Sequence, residues 1–122
     1  MAMKVLVVDD SITMVMSLKT TLTMNGFEVV TADNGKTALD KLHAGVKPNL
    51  IVTDINMPVM GGLELIGKVR AMPGLKFIPI LTLTTESDAT KREAGKSAGA
   101  TGWIVKPFDA VKLVEAIRRV AA

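Results

Sequence analysis

Five short apolar runs alternate with five helix-patterned segments from one end of this chain to the other, and that alternation constrains its fold more than any other feature. The runs are Lys4–Val8 (KVLVV), Phe27–Ala32 (FEVVTA), Leu50–Asp54 (LIVTD), Ile78–Leu83 (IPILTL) and Thr101–Val105 (TGWIV), all short and most rich in β-branched residues, as strands are. Between them, Ile12–Asn25 sets Ile12, Val15, Leu18 and Leu22 at helical spacing, and Gly26 stops it. The turn Asn34-Gly35 leads into a helix around Lys36–His43, and further helices are predicted over Gly62–Met72 and Ser87–Ala98. Asp109 is placed to N-cap a last helix carrying Val111, Val114, Ile117 and Val120. Runs so uniformly apolar leave no wet face. The predicted fold is therefore α/β, a doubly wound five-stranded parallel sheet with five helices covering both sides and right-handed crossovers.

Composition closes off other classes. At 122 residues with 48% hydrophobic and 22% charged content, the chain suits one globular domain, expected over residues 1–122 without linker, repeat or low-complexity tract. It has no cysteine, which excludes disulfides and thiolate metal sites. No apolar run approaches the roughly 20 residues of a membrane helix. The start MAMKVLVVDD lacks a signal-peptide pattern. A cytoplasmic location away from membranes is expected. The net charge of +3 and pI near 9.3 raise the question of nucleic acid. However, the 15 Lys and Arg are scattered and aromatics reach only 3%, so stacking on bases has little to work with and no nucleic-acid partner is expected.

In an open parallel sheet, ligands bind beyond the carboxyl ends of the strands. Polar residues collect at four of those ends: Asp9-Asp10 after the first run, Asp54 after the third, Thr84 after the fourth and Lys106-Pro107 after the fifth. Any one of them alone reads as a solvated loop residue. Together they put three carboxylates, a hydroxyl and an ammonium in one pocket. Three ionised carboxylates repel one another, and one lysine does not balance them. An oxygen-only donor set suits a divalent cation such as Mg²⁺ far better than Zn²⁺.

These residues resemble the response regulator receiver domain of two-component signalling, most closely its stand-alone, chemotaxis-type (CheY-like) form. The matching motifs are Asp9-Asp10 after VLVV, Asp54 in DINMP, Thr84 in LTLTTE and Lys106-Pro107-Phe108 in IVKPF, and they span the whole chain. The resemblance implies a flavodoxin-like sheet of strand order 2-1-3-4-5; the general rule for doubly wound folds names this family's chemotaxis protein for that order. It implies Asp54 as phosphoacceptor for a sensor histidine kinase. It implies Mg²⁺ held by Asp10, Asp54 and the backbone carbonyl of Asn56, with Asp9 reaching the metal through water. Thr84 and Lys106 would hold phosphoryl oxygens, Lys106-Pro107 would be cis, and Trp103 would stand at the switch aromatic. The chain would catalyse only its own phosphorylation and dephosphorylation, as a monomer. Its output would leave from the face of the fourth helix, fifth strand and fifth helix.

Three positions depart from the family's commonest pattern: Gly61 where aspartate often stands, Thr85 where alanine is frequent, and Trp103 where Tyr or Phe is usual. Lys91, Arg92, Lys96, Lys112, Arg118 and Arg119 place six of the 15 basic residues on the two output helices, so an acidic peptide or protein segment is the expected target. His43, the only histidine, and the eight methionines carry no assigned chemistry. A flavodoxin-like binding module would need a Ser-, Thr- or Gly-rich loop where Asp9-Asp10 stand. A hydrolase with an aspartate nucleophile would need a second acid two residues after the first, a spacing that Ser11-Ile12 break. A receiver cut from a longer regulator stays open as an alternative.

Overall fold

The computed structural model describes residues 3–85 and 89–121. Its elements run β1 (Lys4–Val8), α1 (Ile12–Met24), β2 (Glu28–Ala32), α2 (Gly35–His43), β3 (Leu50–Asp54), α3 (Gly62–Arg70), β4 (Ile80–Thr85), α4 (Ala89–Ala98), β5 (Gly102–Lys106) and α5 (Ala110–Ala121). The expected start of the fourth helix at Ser87 lies outside the described residues. The strands form one sheet of order β2-β1-β3-β4-β5, every pair parallel.

Strand side chains alternate between two cores. Val5, Val7, Val52, Leu81 and Leu83 meet Leu18 and Leu22 of α1 and Leu113, Val114 and Ile117 of α5. Leu6, Val8, Ile51 and Ile80 meet Leu39 and Leu42 of α2 and Leu65, Ile66 and Val69 of α3. Every one of these is nearly inaccessible to solvent. The middle of the sheet is therefore dry on both faces, as expected. The edges are not: β2 is largely half-buried and β5 buries only Ile104. Uniformly apolar composition does not reveal which strands end up at an edge.

Two helical stripes also differ from expectation at their first positions. Ile12 is 77% exposed and Val111 66% exposed, while Leu113 takes the inward place in the last helix. The buried positions begin further along each helix, at Leu18 in α1 and Leu113 in α5.

The fourth strand starts later than its apolar pattern, at Ile80 instead of Ile78. Pro79 has no N–H to give the ladder; its carbonyl accepts from Ile51 N (3.0 Å), while Ile78 N turns back to Leu75 O (3.4 Å). At its other end the strand runs on through Thr84 and Thr85. The fifth strand starts at Gly102 and ends on Lys106; just before it, Thr101 donates its N–H to Ile80 O and accepts from Ile80 N with its hydroxyl. The third helix ends at Arg70, two residues before Met72, in a turn closed by Met72 N to Val69 O (3.0 Å). Asp109 caps the last helix, its carboxylate accepting from Val111 N (2.8 Å) and Lys112 N (3.3 Å). No helix among the described residues is long and apolar enough to cross a membrane.

Candidate functional site

The parallel register brings the carboxyl ends of β1, β3, β4 and β5 to one rim. Asp9 follows β1 directly and is 1% exposed. Its Oδ1 accepts from Ser11 N (2.9 Å), and the Ser11 hydroxyl in turn accepts from Met14 N (3.3 Å) to cap α1. The tight exit from β1 and the helix start are therefore one hydrogen-bonded unit. Asp10, next along, is exposed. Asp54 closes β3, with Oδ1 accepting from its neighbour Ile55 N at 2.7 Å. From β5, Lys106 Nζ lies 3.1 Å from Asp54 Oδ2 and 3.4 Å from Asp9 Oδ2. The peptide bond after Lys106, to Pro107, is cis.

Charges at this rim perturb one another. Burial pushes the Asp9 carboxyl up, the Ser11 N–H pulls it down, Asp54 pushes it up again and Lys106 opposes; the net direction is up. Burial alone would lower Lys106, but the hydrogen bond and charge of Asp54, with the charge of Asp9, outweigh it and hold the ammonium above its ordinary value.

Two buried atoms are left without a hydrogen-bond partner among the described residues: Asp9 Oδ2, which faces Lys106 only as a poorly aligned ion pair, and the hydroxyl of Thr84. Orphaned buried polar atoms are rare, and an ion or a water is the usual group that satisfies them. Asp9, Asp10 and Asp54 each offer an oxygen, all within 4.8 Å of one another. Three carboxylates on one side and one ammonium on the other fit a hard divalent cation, with oxygens as its only protein donors. Thr84 is 3% exposed and lines a cavity of about 170 Å³ with Asp54, Asn56, Thr85, Lys91 and Lys106. That space opens beside Asp54 and is bordered by two threonines and two lysines, so it suits a small oxyanion.

A match to the response regulator receiver domain covers residues 5–118. The chain belongs to the response regulator receiver family. It is similar to chemotaxis protein CheY1 of Helicobacter pylori, with 46% identity across 87% of this chain and 86% of that one. Chemotaxis protein CheY of Pseudomonas aeruginosa is 42% identical across 97% and 95% of the two chains. Among solved structures, chemotaxis response regulator CheY4 of Vibrio cholerae superposes with a TM-score of 0.92 at 45% identity, over 98% of this chain and 99% of that one. This receiver is accordingly a CheY-like signalling domain of a two-component, phosphorelay type.

The structure gathers Asp9, Asp10, Asp54, Asn56, Thr84, Thr85 and Lys106 at that rim and leaves His43, exposed at the end of α2, outside it. Trp103 stands on β5 with 47% exposure and the Arg92 guanidinium 5.4 Å from its ring centre. One basic residue of α5 is turned to another partner: the Arg118 guanidinium lies over the Phe27 ring (6.0 Å). A groove of about 690 Å³ beside Trp103 is lined by Lys112 and Arg119 but also by Asp109 and Glu115, so the surface around β5 and α5 is mixed and less basic than the count of six implied.

Two placements had no readable signal, Lys91 at the site and Arg70 away from it. Lys91 reads as one more helix cation, and only the packing of α4 brings it to the cavity. Arg70 looks like an ordinary helix-end cation, yet its guanidinium is spent on backbone carbonyls: Gly99 O (3.0 and 2.8 Å), Ile78 O (2.6 Å) and Lys76 O (3.0 Å).

Proposed function

We propose that this receiver is a phosphoacceptor switch of the chemotaxis type, phosphorylated on Asp54 by a sensor histidine kinase. The observation that carries the reading is the Lys106 ammonium bridging Asp54 and Asp9 next to a buried Thr84 hydroxyl that lacks a partner. A carboxylate oxygen of Asp54 forms the new bond to phosphorus while the bond from phosphorus to the donor imidazole nitrogen breaks and its electron pair stays on that nitrogen. Such a transfer needs positioning and charge neutralisation more than a proton shuttle. Lys106 and Thr84 would receive phosphoryl oxygens. Asp10, Asp54 and the Asn56 carbonyl would hold Mg²⁺, with Asp9 acting through a water. The cation, when bound, neutralises charge on the transferring group. The chain turns over no other substrate.

The output is proposed to leave from α4, β5 and α5, with Trp103 as the moving aromatic and Lys96, Lys112 and Arg119 as anchors for an acidic peptide. Equal affinity of such a peptide for phosphorylated and unphosphorylated protein would count against this half of the reading.

Intact mass after incubation with acetyl phosphate tests the chemistry. One phosphoryl group should be gained with Mg²⁺ and none with EDTA, and Asp54→Asn should gain none while keeping its fold. Normal labelling of Asp54→Asn would mean that a different residue is the acceptor.

A further inference from the structure

We propose that Lys91 is a second cation for the phosphoryl group and that Arg92, its neighbour on α4, carries the effect to Trp103. The inference rests on the phosphoacceptor reading above and adds two residues that its motifs do not include.

The cavity at Asp54 is walled mainly by the ends of β3, β4 and β5, and α4 contributes one residue to it, Lys91. A phosphoryl group brings close to two negative charges. Lys106 is shared with two carboxylates, at 3.1 and 3.4 Å. Lys91 adds a second positive charge at the border of the same cavity. Hydrogen bonds between an ammonium and phosphoryl oxygens are among the stronger polar contacts.

Arg92 follows Lys91 in the same helix. Successive helical residues are turned by about 100°, so the two face different neighbours. Lys91 meets the phosphoryl cavity, and Arg92 lies over the Trp103 ring at 5.4 Å. Arg92, Lys96 and Trp103 also border a second, smaller cavity of about 140 Å³ on that side. Free space next to the indole gives its contact with Arg92 room to rearrange.

The helix that links them is lightly held. Gly95 is the only buried residue of α4, set against Thr82, whose methyl would lie 3.3 Å from an added Cβ. A helix held by small residues, Gly95 and the partly buried Ala98, buries less apolar surface than one that carries leucines into the core, and moves at lower cost. Attraction of Lys91 toward the phosphoryl group therefore shifts the first turn of α4 and draws Arg92 from its position over Trp103. The pair converts charge at Asp54 into a change around the output aromatic.

Beryllofluoride with Mg²⁺, a stable phosphoryl mimic, tests this by calorimetry together with Trp103 emission. The wild type should bind and change its emission. K91Q should bind about fivefold more weakly, while K91R, which keeps the charge, should stay within about twofold. R92Q should bind but lose most of the ligand-induced emission change. Wild-type affinity in K91Q overturns the phosphoryl role, and a full emission change in R92Q overturns the transmission. A wild type that binds no beryllofluoride and takes no phosphoryl from acetyl phosphate would instead remove the phosphoacceptor reading on which both depend.

Discussion

Asp9 is a carboxylate that folding takes almost wholly out of water while leaving one of its oxygens without a hydrogen bond. Its pKa is held above the ordinary 3.8, so the folded state binds this proton more tightly than the unfolded chain does. The group's stabilising contribution is greatest below that ordinary value and is lost as pH rises through the raised one. Ionised Asp9 is thus a net cost at neutral pH without metal. Asp9→Asn should raise the melting temperature of the metal-free protein, by about 4 °C for each kcal/mol relieved, and weaken its decline between acid and neutral pH. A lower melting temperature in calorimetry at pH 7 would contradict this. Lys106 works in the opposite range: its ammonium is held above the ordinary 10.5, so its contribution persists through neutral pH and is lost only in strong alkali. Val59 is a second strained residue, at φ +69° in the loop after Asp54. A β-branched residue there is a true outlier, and the hydrogen bond from Met60 N to Pro58 O (2.8 Å) closes a strained γ-turn around it, whereas Gly takes positive φ without steric cost. Val59 is 78% exposed, so Val59→Gly removes little burial and should stabilise the protein by about 1 kcal/mol in urea denaturation. No gain would mean that the loop relaxes around the valine.

At the scale of elements, the segment from β3 to α3 decides how closely Asp54 is framed. A Cβ on Gly62 would lie 2.0 Å from the Asp54 carbonyl oxygen, and one on Gly61 2.8 Å from the Ile55 carbonyl. Gly62→Ala should therefore force the loop away from Asp54 and cost about 2 kcal/mol or more, read as a lower urea midpoint. An unchanged midpoint would show that the loop has slack. The same crowding explains the family departure at Gly61. The helix start has no side-chain cap there, but an aspartate would improve on glycine by only a few tenths of a kcal/mol and would press on a backbone oxygen. Gly35 completes the frame, donating its N–H to Met60 O (2.9 Å) and leaving no room for a Cβ against that residue. On the far side of the sheet's rim, Arg70 ties the end of α3 to the turn before β5 through Gly99 and to the entry of β4 through Ile78. Burial pushes this guanidinium's pKa down, and carbonyl dipoles stand where a carboxylate partner would otherwise be.

For the whole molecule, the collected carboxylates make stability depend on a cation. Mg²⁺ should raise the melting temperature, because binding to the folded state alone adds about 2.7 kcal/mol at a hundredfold excess over Kd. EDTA should reverse the rise, and Asp10→Ala should blunt it while leaving the metal-free protein no less stable. A melting temperature indifferent to Mg²⁺ would argue against a cation among Asp9, Asp10 and Asp54. Much of this architecture is already determined by the sequence. Uniformly apolar runs alternating with helices favour a covered parallel sheet, and a parallel sheet sends all strand ends, with Asp9, Asp54, Thr84 and Lys106, to one rim. The positions of cap and stop residues such as Asp109 and Gly26 are equally local, since they depend on backbone groups a few residues away. Only the tertiary structure decides the exposure of Ile12 and Val111, the half-wet edge strands, the route of Arg118 to Phe27, the capture of carbonyls by Arg70 and the arrival of Lys91 at the Asp54 cavity. Each of these depends on which element lies opposite a side chain, and helical or strand periodicity reports the direction a residue points without reporting what it meets.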